Sequence, residues 1–273
     1  MKLIILITLV IILIIWLYTL YPRKFFIVPY YQPPRKHGKD QKIPKTICVV
    51  HHENKLTDLL KPNIQSLIEK NPDYSFTFYD ENSSRKFILE HFGERYLKAY
   101  NKLIPGAYKA DFFRYCYMYI KGGVYIDINK KLLVPLDNII KPDTELVLIV
   151  DRPDCCIYQA FIASIPNNPL FKLCAEKCVE NIETNYYGKD CLDPTGPRMM
   201  GKVFYSLYGK CLEDYEHENL VIGVFEGKYI VIDDKKVIDS YAVNRYLLNY
   251  IWNLQTNKKY YATQWDNKKI YHM

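Results

Sequence analysis

The 273-residue sequence predicts an α/β domain with a mostly parallel sheet flanked by helices, preceded by one transmembrane helix. Three observations carry that expectation. Short apolar runs alternate along the chain with longer amphipathic segments, the pattern of parallel strands joined by helical crossovers. Residues Leu3 to Tyr21 are almost wholly apolar, long enough to span a bilayer as a helix. The rest of the chain holds about 230 residues beyond a short linker, enough for one sizeable core. The chain therefore divides into an anchor (1–22), a stem (23–42) and a domain (43–273).

The apolar run ends among Trp16, Tyr18 and Tyr21, placed as an aromatic belt at one membrane interface. A cleaved signal peptide is the rival, but the run is long for one and no small-residue cleavage site comes after it. Tyr30 to Lys42 is rich in Pro and charge, which predicts an extended stem. Thr46 to Val50 reads as a buried parallel strand. Pro62 to Lys70 reads as a helix, Asn71-Pro72-Asp73-Tyr74 as a turn, Ser75 to Tyr79 as a second strand and Ser84 to Phe92 as a helix.

Residues Ala110 to Asn129 are the most informative. An amphipathic helix places Asp111 and Arg114 one turn apart on one face. Gly122-Gly123 stops it. A strand over Val124 to Ile128 then delivers Asp127 and Asn129, two apart and so on one side. Oxygen-bearing side chains at a strand end, beside an Asp/Arg helix face, suit a metal ion holding a diphosphate. Lys131 falls on the same side if the strand continues, either to supply charge to the diphosphate or, as the preferred reading, as a solvated Lys at a strand exit. Beyond the motif, Leu146 to Val150 and Tyr158 to Ile165 read as strands, Leu170 to Glu183 and Val203 to Tyr208 as helices, and Tyr229 to Ile232 as a late strand.

This stretch resembles the sugar-binding region of glycosyltransferases with a DxD motif, specifically family 32, that of the yeast outer-chain initiating mannosyltransferase, with the clostridial toxin glucosyltransferases as distant relatives. Lys109, Ala110, Asp111, Arg114, Tyr115, Gly122, Gly123, Tyr125 and Asp127 match the family pattern, and Asn129 stands where its last Asp is expected. The resemblance covers about Ile43 to Trp265. It implies a GT-A fold and retaining transfer of a hexose from a UDP- or GDP-sugar to a glycan, lipid or protein acceptor. Asp111, Arg114 and Asp127 become the catalytic candidates, joined by Tyr125 and His51 as donor-binding residues. Asp127, Asn129 and Gln264 become the metal candidates, for Mn²⁺ or Mg²⁺. His51 stands where the family carries a Trp, Cys48 where it carries a His, and Gln264-Trp265 where a C-terminal His is usual. Thr195-Gly196-Pro197 matches a family Thr-Gly-Pro at a helix start on the acceptor side.

An amide oxygen at Asn129 is a legitimate ligand without charge, so the site becomes weaker for metal, metal-independent or inactive. The outcomes are a membrane-anchored transferase or a catalytically silent donor-binding or scaffold relative. Net charge +7 without a recognisable nucleic-acid motif argues against a nucleic-acid binder. Arg23, Lys24, Arg35 and Lys36 against a lone Lys2 favour a cytosolic domain by the positive-inside rule. The family resemblance implies the opposite, a type II protein with its domain in the Golgi or ER lumen, and the lumen is preferred. The eight cysteines permit disulfides whose connectivity is unreadable. Cys48 and Cys116 read as buried thiols, and no spacing fits zinc.

Overall fold

Strand alternation decides the layers. In Thr46 to Val50, Ile47 and Val49 enter one core and Cys48 the other; Val124 and Ile126 part from Tyr125 in the same way, and Val147 and Ile149 from Leu148. The sheet is thus buried on both faces.

The computed structural model describes residues 5–13, 24–152, 155–241 and 260–272. In chain order it holds β1 (Phe25–Ile27), β2 (Tyr31–Gln32), β3 (Thr46–Val50), β4 (Lys55–Thr57), α1 (Lys61–Lys70), β5 (Ser75–Tyr79), α2 (Glu81–Phe92), α3 (Glu94–Lys102), α4 (Gly106–Lys121), β6 (Gly123–Ile126) and β7 (Lys131–Leu132). Next come β8 (Leu146–Arg152), β9 (Cys156–Ser164), α5 (Pro169–Glu183), α6 (Pro197–Tyr208), β10 (Leu220–Glu226), β11 (Tyr229–Ile232), β12 (Lys235–Asp239) and α7 (Tyr261–Asp266). The helices α2 to α6 supply the core on one face of the sheet, and α1 packs on the other.

The strand order is β2-β5-β3-β6-β9-β8-β10-β11-β12-β7. The sheet is mixed, which corrects the mostly parallel expectation. β3 runs parallel to β5 and β6, and β8 to β10. β9 is antiparallel to both β6 and β8, and β10, β11, β12 and β7 form an antiparallel series. Only three residues separate β8 from β9, too few for a parallel crossover. The turns after β10 and β11 carry positive φ at Gly227, Asp233 and Asp234, which suits tight hairpins.

Helix α4 is not amphipathic toward solvent. Tyr108, Lys109 and every residue from Asp111 to Met118 are buried, so its polar side is enclosed against the strand ends. Gly122 caps it as expected, its N–H donating to the Met118 carbonyl. Both glycines have positive φ, +62° and +83°. A Cβ on Gly122 would stand 2.6 Å from the Ser164 carbonyl oxygen, and one on Gly123 2.8 Å from that of Thr46. Only glycine lets β6 approach β3 and β9 this closely. Helix α2 starts three residues earlier than expected because Asp80 caps it: its carboxylate accepts from the Ser83 N–H, and Ser83 Oγ accepts from the Asp80 N–H.

The segment expected as a free stem lies on the domain. β1 pairs with β4, β2 pairs with β5, Val28 is buried and Arg35 donates to the Ile68 carbonyl. Of the expected membrane span, residues 5–13 are helical with exposed apolar side chains, and the remainder, with Trp16, Tyr18 and Tyr21, lies outside the described residues. Among the described residues no helix is long and apolar enough to cross a membrane. Cys155 and Cys211 form a disulfide, while Cys48 and Cys116 are buried free thiols, as are Cys174 and Cys178.

Candidate active site

The C-terminal ends of β3, β6, β8 and β10 open on one cleft of about 470 Å³. Ligands in open α/β sheets bind beyond such strand ends. Asp111, Arg114, Asp127, Asn129, His51 and Gln264 all line it; Tyr125 does not.

Arg114 is the hub. Helix α4 brings its guanidinium over the Tyr125 ring, 4.5 Å from the centroid, because Tyr125 is the one β6 side chain on that face of the sheet. Its Nη2 lies 3.3 Å from Asp111 Oδ1 and 3.4 Å from Asp127 Oδ1. Its Nη1 donates to the Gln159 carbonyl at 2.8 Å and to Gln159 Oε1 at 3.2 Å. Arg114 is 4% exposed. Burial opposes its charge, but Tyr125, Asp111 and Asp127 outweigh that and hold its pKa above the ordinary value. A buried cation between two carboxylates is costly to disrupt from either side.

Asp111 is buried and accepts from Thr195 Oγ1 at 2.9 Å. Burial pushes its pKa up to about 6, against the pull of Arg114 and Thr195 and with help from Asp127. Thr195 is fully enclosed just before α6, so the Thr-Gly-Pro element closes the site through Asp111. Tyr125 is fully buried one layer below the cleft and donates its hydroxyl to Asp127 Oδ1 at 3.0 Å. The family resemblance puts it among the donor contacts, whereas its alternation with Asp127 places it under the site, where the structure has it.

Asp127 faces the cleft with its side chain a third exposed. The Tyr125 and Arg114 contacts both fall on Oδ1, which leaves Oδ2 for the cleft. β6 ends at Ile126, and Asp127 opens a turn in which the Lys130 N–H donates back to the Asp127 carbonyl at 3.0 Å. Strand alternation therefore stops before Asn129. The turn, not the pleat, sets Asp127 and Asn129 beside the same cleft. The turn also explains why the lysine at the site is Lys130 and not Lys131. Lys130 is 6% exposed, lines the cleft and donates to the Ser240 carbonyl at 3.2 Å, whereas Lys131 begins β7.

The donor set fits a hard divalent cation. Asn129 Oδ1 is buried with no hydrogen-bond partner, and an unsatisfied buried oxygen is costly unless something ligates it. With Asp127 Oδ2 it offers the oxygen ligands that Mn²⁺ or Mg²⁺ take. Gln264 reaches the cleft from α7, which packs on α4. Trp265 turns away, donating Nε1–H to the Tyr187 carbonyl. His51 sits at the β3 exit with Nδ1 3.1 Å from the Glu53 carbonyl oxygen. Burial and the neighbouring His52 ring lower its pKa to about 3, so it is neutral near pH 7.

Several lining residues escape sequence reasoning: Lys109 paired with Glu81, Gln159 beneath Arg114, and Asp151 at the end of β8. Gln159 and Asp151 have no local pattern to betray them. Lys109 stands inside the motif, and that position was the signal that could have found it.

Residues 57–146 match the family model described as the glycosyltransferase sugar-binding region containing a DXD motif. The initiation-specific α-1,6-mannosyltransferase of Schizosaccharomyces pombe is 31% identical over 120 residues, 36% of this chain and 30% of that protein. Inositol phosphoceramide mannosyltransferase 2 of the same yeast is 28% identical over 144 residues, 52% of this chain and 39% of its own length. A mannosyl phosphorylinositol ceramide synthase of Saccharomyces cerevisiae is 24% identical over 185 residues, 67% and 46% of the two chains. The chain thus spans less than half the length of each of these relatives. Its segment 57–146, with Asp111, Arg114, Asp127 and Asn129 gathered on one cleft, is similar to the glycosyltransferase sugar-binding regions of DXD type, the motif being written here as Asp-Ile-Asn.

Proposed function

We propose that this chain is a membrane-anchored, GT-A-type retaining glycosyltransferase that moves a hexose from a nucleotide sugar, with divalent-metal assistance, to a glycan, glycolipid or protein. Mannose is the sugar best supported, since the yeast relatives are named for mannosyl transfer. The observation that carries the proposal is that Asp127 and Asn129, whose buried Oδ1 has no partner, line one cleft with Arg114.

Asp127 and Asn129 would hold the cation, which when bound neutralises the leaving diphosphate as a Lewis acid. Arg114 keeps the Asp127 carboxylate aimed, with Tyr125 fixing the same oxygen from below. Asp111, with its pKa raised to about 6, can accept from a donor-sugar hydroxyl when ionised and donate when protonated. Neutral His51 offers a flat ring at the β3 end for a nucleobase. Retention rests on the family resemblance alone.

A second reading is a catalytically silent relative that binds donor or scaffolds an active partner. Asn129 in place of Asp and His51 in place of Trp favour it. The test is thermal stabilisation and sugar release or transfer by the full chain, across GDP-mannose and UDP-hexoses, with and without Mn²⁺. A ligand that binds only the folded state raises the unfolding temperature. A metal-dependent rise with one donor, together with turnover, supports the transferase. A rise without turnover supports the silent relative. No rise with any donor sinks the transferase and leaves the silent relative as a scaffold.

A further inference from the structure

Of the ten large apolar side chains exposed among the described residues from 24 onward, five lie in or beside one short ribbon: Phe25, Ile27, Tyr30, Tyr31 and Leu59. The other five are spread from Leu89 to Tyr241. The ribbon is β1 paired with β4. Phe26 packs inward on the core, while Phe25 and Ile27 alternate outward at 41% and 72% exposure. Outward positions on a two-stranded ribbon are ordinarily polar, and a large exposed apolar patch marks an interaction surface.

We propose that this ribbon docks on the lipid bilayer surface and sets the domain against the membrane with its cleft beside the head groups. The proposal rests on residues Leu3 to Tyr21 being embedded. Tyr21 precedes Phe25 by four residues, so the chain can carry β1 at most about 14 Å from the end of the apolar run. A surface tethered that closely meets lipid before it meets any soluble partner. The chemistry agrees. Phe and Tyr rings sit well at the head-group level. Lys55 lays its ammonium 5.3 Å over the Phe25 ring, covering apolar surface with its stem while its charge reaches water. Lys24, Lys55 and Lys61 are nearly balanced by Glu53 and Asp58, so apolar insertion carries the contact and anionic lipid adds little.

The ribbon is also fixed to the cleft. His51 and His52 line the cleft and stand just ahead of Lys55, and the Val28 N–H donates to the Asn54 carbonyl at 2.9 Å. Tyr30 donates its hydroxyl to Asp80 at 2.5 Å, tying the turn after β1 to the end of β5. Docking therefore presents the cleft to an acceptor at the membrane surface.

The test is photo-crosslinking of the full chain in phosphatidylcholine vesicles carrying a photoactivatable lipid, with adducts mapped by peptide mass spectrometry. Adducts are expected on 25–31 and 55–59 as well as on 3–21, with little change when phosphatidylserine is added. The double variant Phe25→Ser/Ile27→Ser should lose about fivefold of the adducts on Tyr31 and Leu59, as apolar area drives interfacial binding. Its unfolding temperature should hold, because only outward positions change. Adducts confined to 3–21 overturn the inference. So do chain-to-chain crosslinks through the ribbon, or failure of the chain to float with vesicles. Transfer activity enters none of these measurements, so a chain inactive on every donor would leave the docking inference intact.

Discussion

Asp111 and Asp127 lean on the same guanidinium from two differently built regions. Around Asp111 most groups are enclosed: helix α4 is buried from Asp111 to Met118, Thr195 donates to one carboxylate oxygen and Arg114 faces the other. Around Asp127 the backbone has left the sheet. One of its oxygens is held from within, the other faces the cleft, and Asn129 beside it offers an oxygen with no partner. The first region spends its polar groups on itself, so changes there should register mainly in stability. The second keeps ligating capacity in reserve, so changes there should register mainly in binding and turnover.

Arg114→Ala is the harshest way to break that contrast. It strands two carboxylates and should cost about 3–5 kcal/mol, the usual loss when one partner of a buried pair is removed. Chemical denaturation measures it, and a variant within about 1 kcal/mol of the parent (an ordinary size for a single substitution) would show that Arg114 is not the hub. Activity lost together with that stability would be secondary to folding, not a clean catalytic readout.

Asp127→Ala should behave oppositely. Transfer should fall by about 10²–10³-fold, the range for losing one electrostatic stabiliser, while the unfolding midpoint falls less than in Arg114→Ala, because Asp111 still faces the guanidinium. Kinetics and denaturation on the same sample check both halves.

The pH dependence sharpens the Asp111 side. Its folded pKa is raised to about 6 from the usual 3.8. Between those values the folded chain binds a proton that the unfolded chain does not, so this group's stabilising contribution is full below the lower value and is lost as pH rises through the upper one. Asp111→Asn should therefore remove a component of stability that declines from about pH 4 to about pH 6. If parent and variant keep the same difference across that window, Asp111 ionises normally in the folded state.

The smallest expected effect is at the turn. Asn129→Asp adds a charged oxygen ligand and should tighten Mn²⁺ binding by roughly tenfold, since ligand charge tunes oxygen-ligand sites. Calorimetric titration of the metal alone reads this without any donor. Unchanged affinity would place the ion elsewhere.

The contrast between the two regions also marks what could be read in advance. The helix stop at Gly122-Gly123 was legible because two glycines after a periodic run have few other uses, and the structure adds that neither position has room for a Cβ. β3, β5 and β11 were legible to the residue, being apolar runs bounded by turn chemistry. The stem was not, because Pro and charge report an extended chain but not what it lies against, and β1 and β2 pair with strands far along the sequence. Lys130 gave way to Lys131 in the sequence reading because the alternation does not run past the end of β6.

By itself, the sequence determined the family segment, the residue types at the site and the run of strands and helices, since these are set by local periodicity, glycine placement and a short motif. The tertiary structure alone decided that the sheet is mixed, that Thr195 reaches the site through Asp111, and that Gln159 and Asp151 line it. The physical reason is one of range. Strand order and burial depend on what arrives from tens of residues away, and Arg114 meets Gln159 across 45 residues and Asp111 meets Thr195 across 84.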